Sequence, residues 1–226
     1  MSKRVLVIAA HPDDEILGVG GTVARHGSQG DQVLIAIAAD RGTARYGDEK
    51  IEIVRQCCKA ACRRLGVSDV RFGDFPDQKL DVLPVLDITR WLEGIADDFK
   101  PQVIYTHHRG DINRDHQLLH EATLTAFRPY ATPYVERILC YESPSATEWC
   151  GPYADLAFIP NVFVDITVYL KDKLEAVSEY STELRAFPHP RSPESLKARA
   201  TFWGSVVGVA AAEPFVLVRE IDRLGG

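Results

Sequence analysis

Short apolar runs alternate with longer segments that are apolar on one side only. "RVLVIAA" and "DQVLIAIAAD" are continuous, β-branched and brief, the pattern of strands covered on both faces, as in a parallel sheet. Between them, residues 15–29 carry apolar positions at helical spacing and stop at Gly30. The rhythm repeats: "DEKIEIVRQCCKAACRRLG" predicts a second helix ending at Gly66, "DVRFGDFPD" a third strand, "VLPVLDITRWLEGIADDFK" a third helix and "PQVIYTHH" a fourth strand. After Arg128 come two further strands, "VERILCYES" and "PNVFVDIT", then a helix over 169–184. The loop "AFPHPRSPES" leads to a last helix, "LKARATFWGSVVG", and a final strand, "PFVLVREI". Strands that alternate with helices predict an α/β fold, a largely parallel sheet with helices on both faces. With no internal repeat or low-complexity linker, residues 1–226 are expected to form one domain.

Such sheets bind ligands beyond the carboxyl ends of their strands. Three of those ends are polar: "AHPDDE" after the first strand, "ADRGTARYGDE" after the second and "THHRGDINRDHQ" after the fourth. A buried carboxylate must be paired, hydrogen-bonded or bound to a cation, so their convergence demands a partner. His11 with Asp13 and Asp14, and Asp111, Asn113, Asp115 and His116 about a hundred residues later, have the composition of a metal site. His11, Asp14 and His116 make a catalytic zinc set that leaves a position open for water, and Asp13 beside it suits a general base. Acids after a strand also cap helices and favour the helix dipole. Capping, however, requires neither the preceding His-Pro nor a second cluster of acid and histidine. Arg41 and Arg109, at strand ends, and the neighbouring His108 are candidate substrate contacts.

Charge and composition narrow the partners. A net charge of -6 with no basic run argues against nucleic acid. No stretch approaches the about 18 apolar residues of a membrane span, and "MSKR" leads into "HPDDE" where a signal peptide would need a cleavage site. Five cysteines without paired spacing fit reduced thiols, so a soluble cytoplasmic protein acting on small molecules is expected. Cys57, Cys58 and Cys62 read as core residues of one helix.

"AHPDDE" and "GDINRDH" resemble the PIG-L (LmbE-like) N-deacetylases. The likeness extends through "DFPDQKLD", "KPQVIYTHH", "YESPSATEW", "PNVFVDIT" and "AEPFVLVR". The resemblance implies a Rossmann-like fold, zinc on His11, Asp14 and His116, Asp13 as general base and an N-acetylglucosamine-type amino-sugar substrate. It also implies a homo-oligomer, a trimer or hexamer. Many members carry a histidine where this chain has Asn113, which can donate to an oxyanion but cannot carry a catalytic proton. Asp13 could return the proton itself, or His107, His108 or His120 could supply it. Asp115 is expected to orient a ligand histidine or a substrate-binding group. Two alternatives stand beside this reading: a metal-dependent amidase for another N-acyl substrate, and a metal-free nucleotide-binding module using "GVGG".

Overall fold

A computed structural model describes residues 2–41 and 49–222, the side chains at 41, 49 and 50 excepted. Each apolar run is a strand: β1 (Arg4–Ala9), β2 (Gln32–Arg41), β3 (Asp69–Pro76), β4 (Val103–His107), β5 (Arg137–Tyr141), β6 (Val162–Asp165) and β7 (Ala212–Glu220). The helices are α1 (Asp14–Ser28), α2 (Glu49–Arg64), α3 (Val85–Phe99), α4 (Arg114–Ala126), α5 (Leu170–Ser178) and α6 (Pro193–Val207). The strands form one sheet in the order β3-β2-β1-β4-β5-β7-β6, parallel through β5, with β7 antiparallel to both β5 and β6. The α/β architecture expected from the alternation is therefore borne out.

β1 shows why its run is unbroken. Val5, Val7 and Ala9 face a core shared with α1, α2 and α5, while Leu6, Ile8 and Ala10 face the core under α3 and α4. Both faces are covered, so no position is left for a polar side chain.

Three helices differ from the reading of the pattern. The helix expected over 169–184 stops at Ser178, because Ser181 and Thr182 are weak helix formers and the chain continues in turns. α6 starts earlier than its apolar positions indicate. Ser192 caps it by accepting the Ser195 N–H at 3.1 Å, and Pro193 fits the first turn, where its missing N–H costs nothing. α4 was not legible as a helix, since its first turn is the polar "RDHQ".

Two contacts fix α1 on the sheet. A Cβ at Gly18 would lie 2.3 Å from the Tyr141 ring, so only glycine allows this approach, and Gly21 meets Ile166 in the same way. "GVGG" is thus used for helix packing. On the side of β7, Glu213 accepts the N–H groups of Gly21 and Thr22 at 2.9 and 2.7 Å and pairs with buried Lys173 at 2.6 Å; Lys173 Nζ also donates to the Leu17 carbonyl at 2.8 Å. Removing one partner from such a buried pair costs about 3–5 kcal/mol.

Candidate metal centre and active site

β1 and β4 are neighbours, but the helices that follow them lie on opposite faces: α1 contributes to one core and α4 to the other. The chain therefore parts at the carboxyl ends of these two strands and opens a crevice at the switch point of the sheet. His11 and Asp14 enter it from the β1–α1 turn, and His116 from the first turn of α4.

Their inner atoms form a nearly equilateral triangle. His11 Nδ1 lies 3.3 Å from Asp14 Oδ2, His116 Nε2 lies 3.2 Å from the same oxygen, and the two ring nitrogens are 3.3 Å apart. Ligands about 2.0–2.1 Å from a tetrahedral ion stand about 3.4 Å from one another, so the triangle has the dimensions of one face of such a site. The outer nitrogens set the tautomers. His11 Nε2 donates to Asp115 Oδ2 at 3.0 Å and also lies 3.1 Å from Asp77 Oδ1; His116 Nδ1 faces Asp111 Oδ2 at 3.1 Å. With those nitrogens protonated, both inner nitrogens turn lone pairs towards Asp14, an arrangement that a cation satisfies. Burial disfavours the charged His116 ring, but Asp14 and Asp111 outweigh it and hold its pKa at about 9. Asp14 is driven up by burial, yet His116, His107 and His11 bring it well below the usual carboxylate range. Asp14 and His116 side chains are 2% exposed and His11 is 14% exposed, so the triangle is reached from the His11 side.

The carboxylates behind the triangle are themselves fixed. Asp115 accepts the backbone N–H groups of Gln78 and Leu80 at 2.8 and 3.0 Å, and Asp111 accepts from the Asn113 N–H at 2.8 Å and the Thr147 hydroxyl at 2.9 Å. Asp13 stands outside the triangle. It is the N-cap residue of α1, but its side chain makes no capping bond, and its backbone has φ 112, a conformation that costs a non-glycine residue about 1–3 kcal/mol. Arg191 Nη1 donates to Asp13 Oδ2 at 2.7 Å, which leaves Oδ1 without a hydrogen bond among the described residues. Burial raises the Asp13 pKa; Arg191 pulls it back, and Asp14 and Glu15 push it up again.

The family model for GlcNAc-PI de-N-acetylase (PIG-L) matches residues 6–127, which include every member of the triangle. The chain belongs to the PIG-L family. Among its relatives, an uncharacterized deacetylase of Escherichia coli, YaiS, is 27% identical over 80% of this chain and 91% of its own length. The 1D-myo-inositol 2-acetamido-2-deoxy-alpha-D-glucopyranoside deacetylase of Actinosynnema mirum is 28% identical over 80% and 81%. N,N'-diacetylchitobiose deacetylase from Pyrococcus horikoshii, a solved structure, superposes with a TM-score of 0.78 over 96% of this chain and 84% of that one, at 24% identity. Deacetylases of the PIG-L family are metal-dependent, and the triangle is one of the groups of this chain whose atoms lie close enough together to hold a metal.

Other expected residues of this PIG-L chain are placed differently. Asn113 caps α4: its Oδ1 accepts the Asp115 N–H at 3.0 Å, and its amide nitrogen has no partner among the described residues. His108 donates to the Leu156 carbonyl at 3.1 Å and Arg109 to the Asp155 carbonyl at 2.7 Å, so both hold the 155–156 loop and stand apart from the triangle. The Arg41 side chain lies outside the described residues. His107 is stacked on His116 at 3.9 Å between ring centroids, but its Nε2 accepts the Ala10 N–H and its Nδ1 faces Ser143 Oγ, both at 2.9 Å. Burial, followed by the charge of His116, holds its pKa well below the usual imidazole value. His120 is engaged by the His107 carbonyl at 2.9 Å. Asp77 and Arg191 were not foreseen as site residues; "DFPDQ" contains the first, but no spacing links it to His11, and Arg191 is 178 positions from Asp13.

Glu15, Cys58 and Cys62 also bring ligand atoms within 4.8 Å of one another. Here the polar atoms already have partners. Glu15 Oε1 accepts the Tyr180 hydroxyl and the Cys58 thiol, and Oε2 accepts the Asp13 N–H at 2.9 Å. Burial, opposed by Tyr180 and backbone donors, raises the Glu15 pKa to about 7.

Proposed function

We propose that this chain, as one domain over 1–226, is a zinc-dependent N-deacetylase that hydrolyses the N-acetyl group of an N-acetylglucosamine-type small molecule, giving acetate and a free amine. The observation that carries the reading is the His11–Asp14–His116 triangle with Asp13 beside it. Bound there, zinc supplies Lewis acidity for the amide carbonyl and brings the pKa of a water down towards about 7. Asp13 takes the proton of the attacking water through its free Oδ1, and its burial favours a base that works near neutral pH. The Asn113 amide, with its oxygen committed to α4, donates to the oxyanion that develops on the carbonyl. Asp13 then returns its proton to the leaving amine, because His107, His108 and His120 are all engaged in structural hydrogen bonds. Asp115 acts through the His11 ring that it orients. Arg41 is assigned to substrate by its strand-end position, and Arg109 and His108 act on substrate through the loop they hold.

All five cysteines are free thiols, and among the described residues no helix is long and apolar enough to cross a membrane; a cytoplasmic location fits both. The assembly we assign, a homotrimer or homohexamer, rests on the family resemblance, and sedimentation analysis tests it.

Metal analysis of the purified protein, paired with acetate release from N-acetylglucosamine derivatives with and without chelator, tests the function. About one zinc per chain and chelator-sensitive release are expected. Bound metal without release from any acetylated sugar would move the reading to another N-acyl substrate, and a protein that takes up no zinc would overturn it.

A further inference from the structure

Three consecutive acids, Asp13, Asp14 and Glu15, are buried side by side, and each has its own partner. Asp14 meets the two ring nitrogens of the triangle, Glu15 meets the Tyr180 hydroxyl, and Asp13 meets the Arg191 guanidinium. The last two partners come from one stretch, residues 180–191 between α5 and α6, beyond the residues 6–127 matched by the family model. This stretch holds Asp13 at two points. Arg191 takes the side-chain oxygen Oδ2 directly. Tyr180 acts on the backbone: its hydroxyl fixes Glu15, whose other oxygen receives the N–H of Asp13 in its left-handed conformation.

Arg191 is in turn held on several sides. Its Nε donates to Ser145 Oγ at 2.7 Å, and its own N–H donates to His189 Nδ1 at 3.1 Å. Glu183 Oε2 stands 3.9 Å from Nη1. Ser145 also has a left-handed backbone (φ 70), with its N–H bound to Glu148 Oε1 at 2.9 Å. Asp13 and Arg191 themselves line a small recess, closed on its other sides by Leu17, Val177, Tyr180, Glu183 and Leu184. A guanidinium with its plane fixed at Ser145 fixes the carboxylate it binds, because both groups are planar and the bond between them is directional.

We propose that Arg191 is a positioning residue of the reaction: it acts through Asp13, occupying one carboxylate oxygen and so aiming the other, and residues 180–191 form the half of the active site that the family match does not reach. This rests on Asp13 serving as the base. A charge that served only to neutralise the three acids would not need its anchor at Ser145.

The test uses the full-length, zinc-loaded protein with Arg191→Ala, Arg191→Lys and Ser145→Ala, measuring zinc content, kcat and KM on the acetylated sugar that the wild type turns over best. Arg191→Ala should keep its zinc and its KM while kcat falls about 100-fold, the loss that follows from misplacing a catalytic group by an ångström. Arg191→Lys should recover part of that loss, and Ser145→Ala, which frees only the anchor, should lose less than Arg191→Ala. A kcat within about twofold of wild type, a loss confined to KM, or equal losses in Arg191→Ala and Arg191→Lys would overturn the assignment. If Arg191→Ala fails to fold, Arg191→Lys and Ser145→Ala carry the same comparison. A wild type that releases no acetate would instead count against the deacetylase reading. The clamp is then read by hydrogen exchange, where Arg191→Ala should speed exchange of the amides at 13–15 about tenfold and leave those of β2 unchanged. Unchanged exchange at 13–15 would overturn it.

Discussion

Among the described residues three groups bring potential metal ligands within 4.8 Å of one another, two of them sharing His11; compared with the group without it, Glu15, Cys58 and Cys62, the group His11, Asp14 and His116 has the surroundings of a metal site. Around His11, Asp14 and His116, Asp115 accepts from the outer nitrogen of His11, Asp111 stands 3.1 Å from the outer nitrogen of His116, and the inner atoms face one another. Around Glu15, Cys58 and Cys62, the carboxylate is already satisfied by Tyr180, Cys58 and the Asp13 N–H, and burial raises its pKa towards the neutral form. A cation entering the second cluster would have to displace hydrogen bonds that are in place. In the first it would displace the proton shared between His116 and Asp14, while Asp14 Oδ2 keeps the His11 backbone N–H at 3.1 Å. Ligand spacing alone does not separate the two; the next layer of hydrogen bonds does.

The contrast can be broken in four ways. Asp13→Asn should keep the triangle and its metal while acetate release falls about 10²- to 10⁴-fold, since the base is lost and the ligands are not; near-normal turnover would remove Asp13 from the chemistry. Asp111→Asn or Asp115→Asn should weaken zinc binding about 10- to 100-fold in a chelator competition, and unchanged affinity would mean that the outer bonds do not orient the rings. The third way is pH. A metal must displace the proton that Asp14 and Asp111 hold on His116, whose pKa is about 9 against an ordinary 6.5. Affinity should therefore rise by up to about tenfold per pH unit for that one proton as pH rises towards 9, and a flat profile would show the rings neutral in the metal-free protein. The sign is opposite for the metal-free fold. A raised histidine pKa stabilises it below 6.5, and this contribution is lost as pH rises through about 9. The smallest effect belongs to the second cluster: Cys58→Ser or Cys62→Ser should leave zinc stoichiometry as it was, and a loss of one ion per chain would make that cluster a site after all.

The chain announces one side of this site and conceals the other. His11, Asp13, Asp14, Asp111, Asp115 and His116 were legible because each lies just past an apolar strand, and parallel strands deliver their ends to one edge. Arg191 and Tyr180 were not legible. They reach the acids by way of turns after α5, and turns impose no period from which a contact could be read. The strand-end rule also overreaches. His107 ends β4 and His108 follows it, but successive side chains point to opposite sides, so one is stacked on His116 while the other holds Leu156. The antiparallel course of β7 was hidden for a related reason, since an apolar run reads the same in either direction.

The Glu213 brace also makes the site depend on the far end of the described chain. His11, Asp13 and Asp14 are synthesised well before Glu213, and the helix that begins at Asp14 receives that carboxylate on its Gly21 and Thr22 amides from a residue 192 and 191 positions later. Loops of that length close slowly, and until this one closes the Lys173–Glu213 pair does not exist. A chain that stops short of β7 therefore carries the motif without the carboxylate that holds the Gly21 and Thr22 amides of α1.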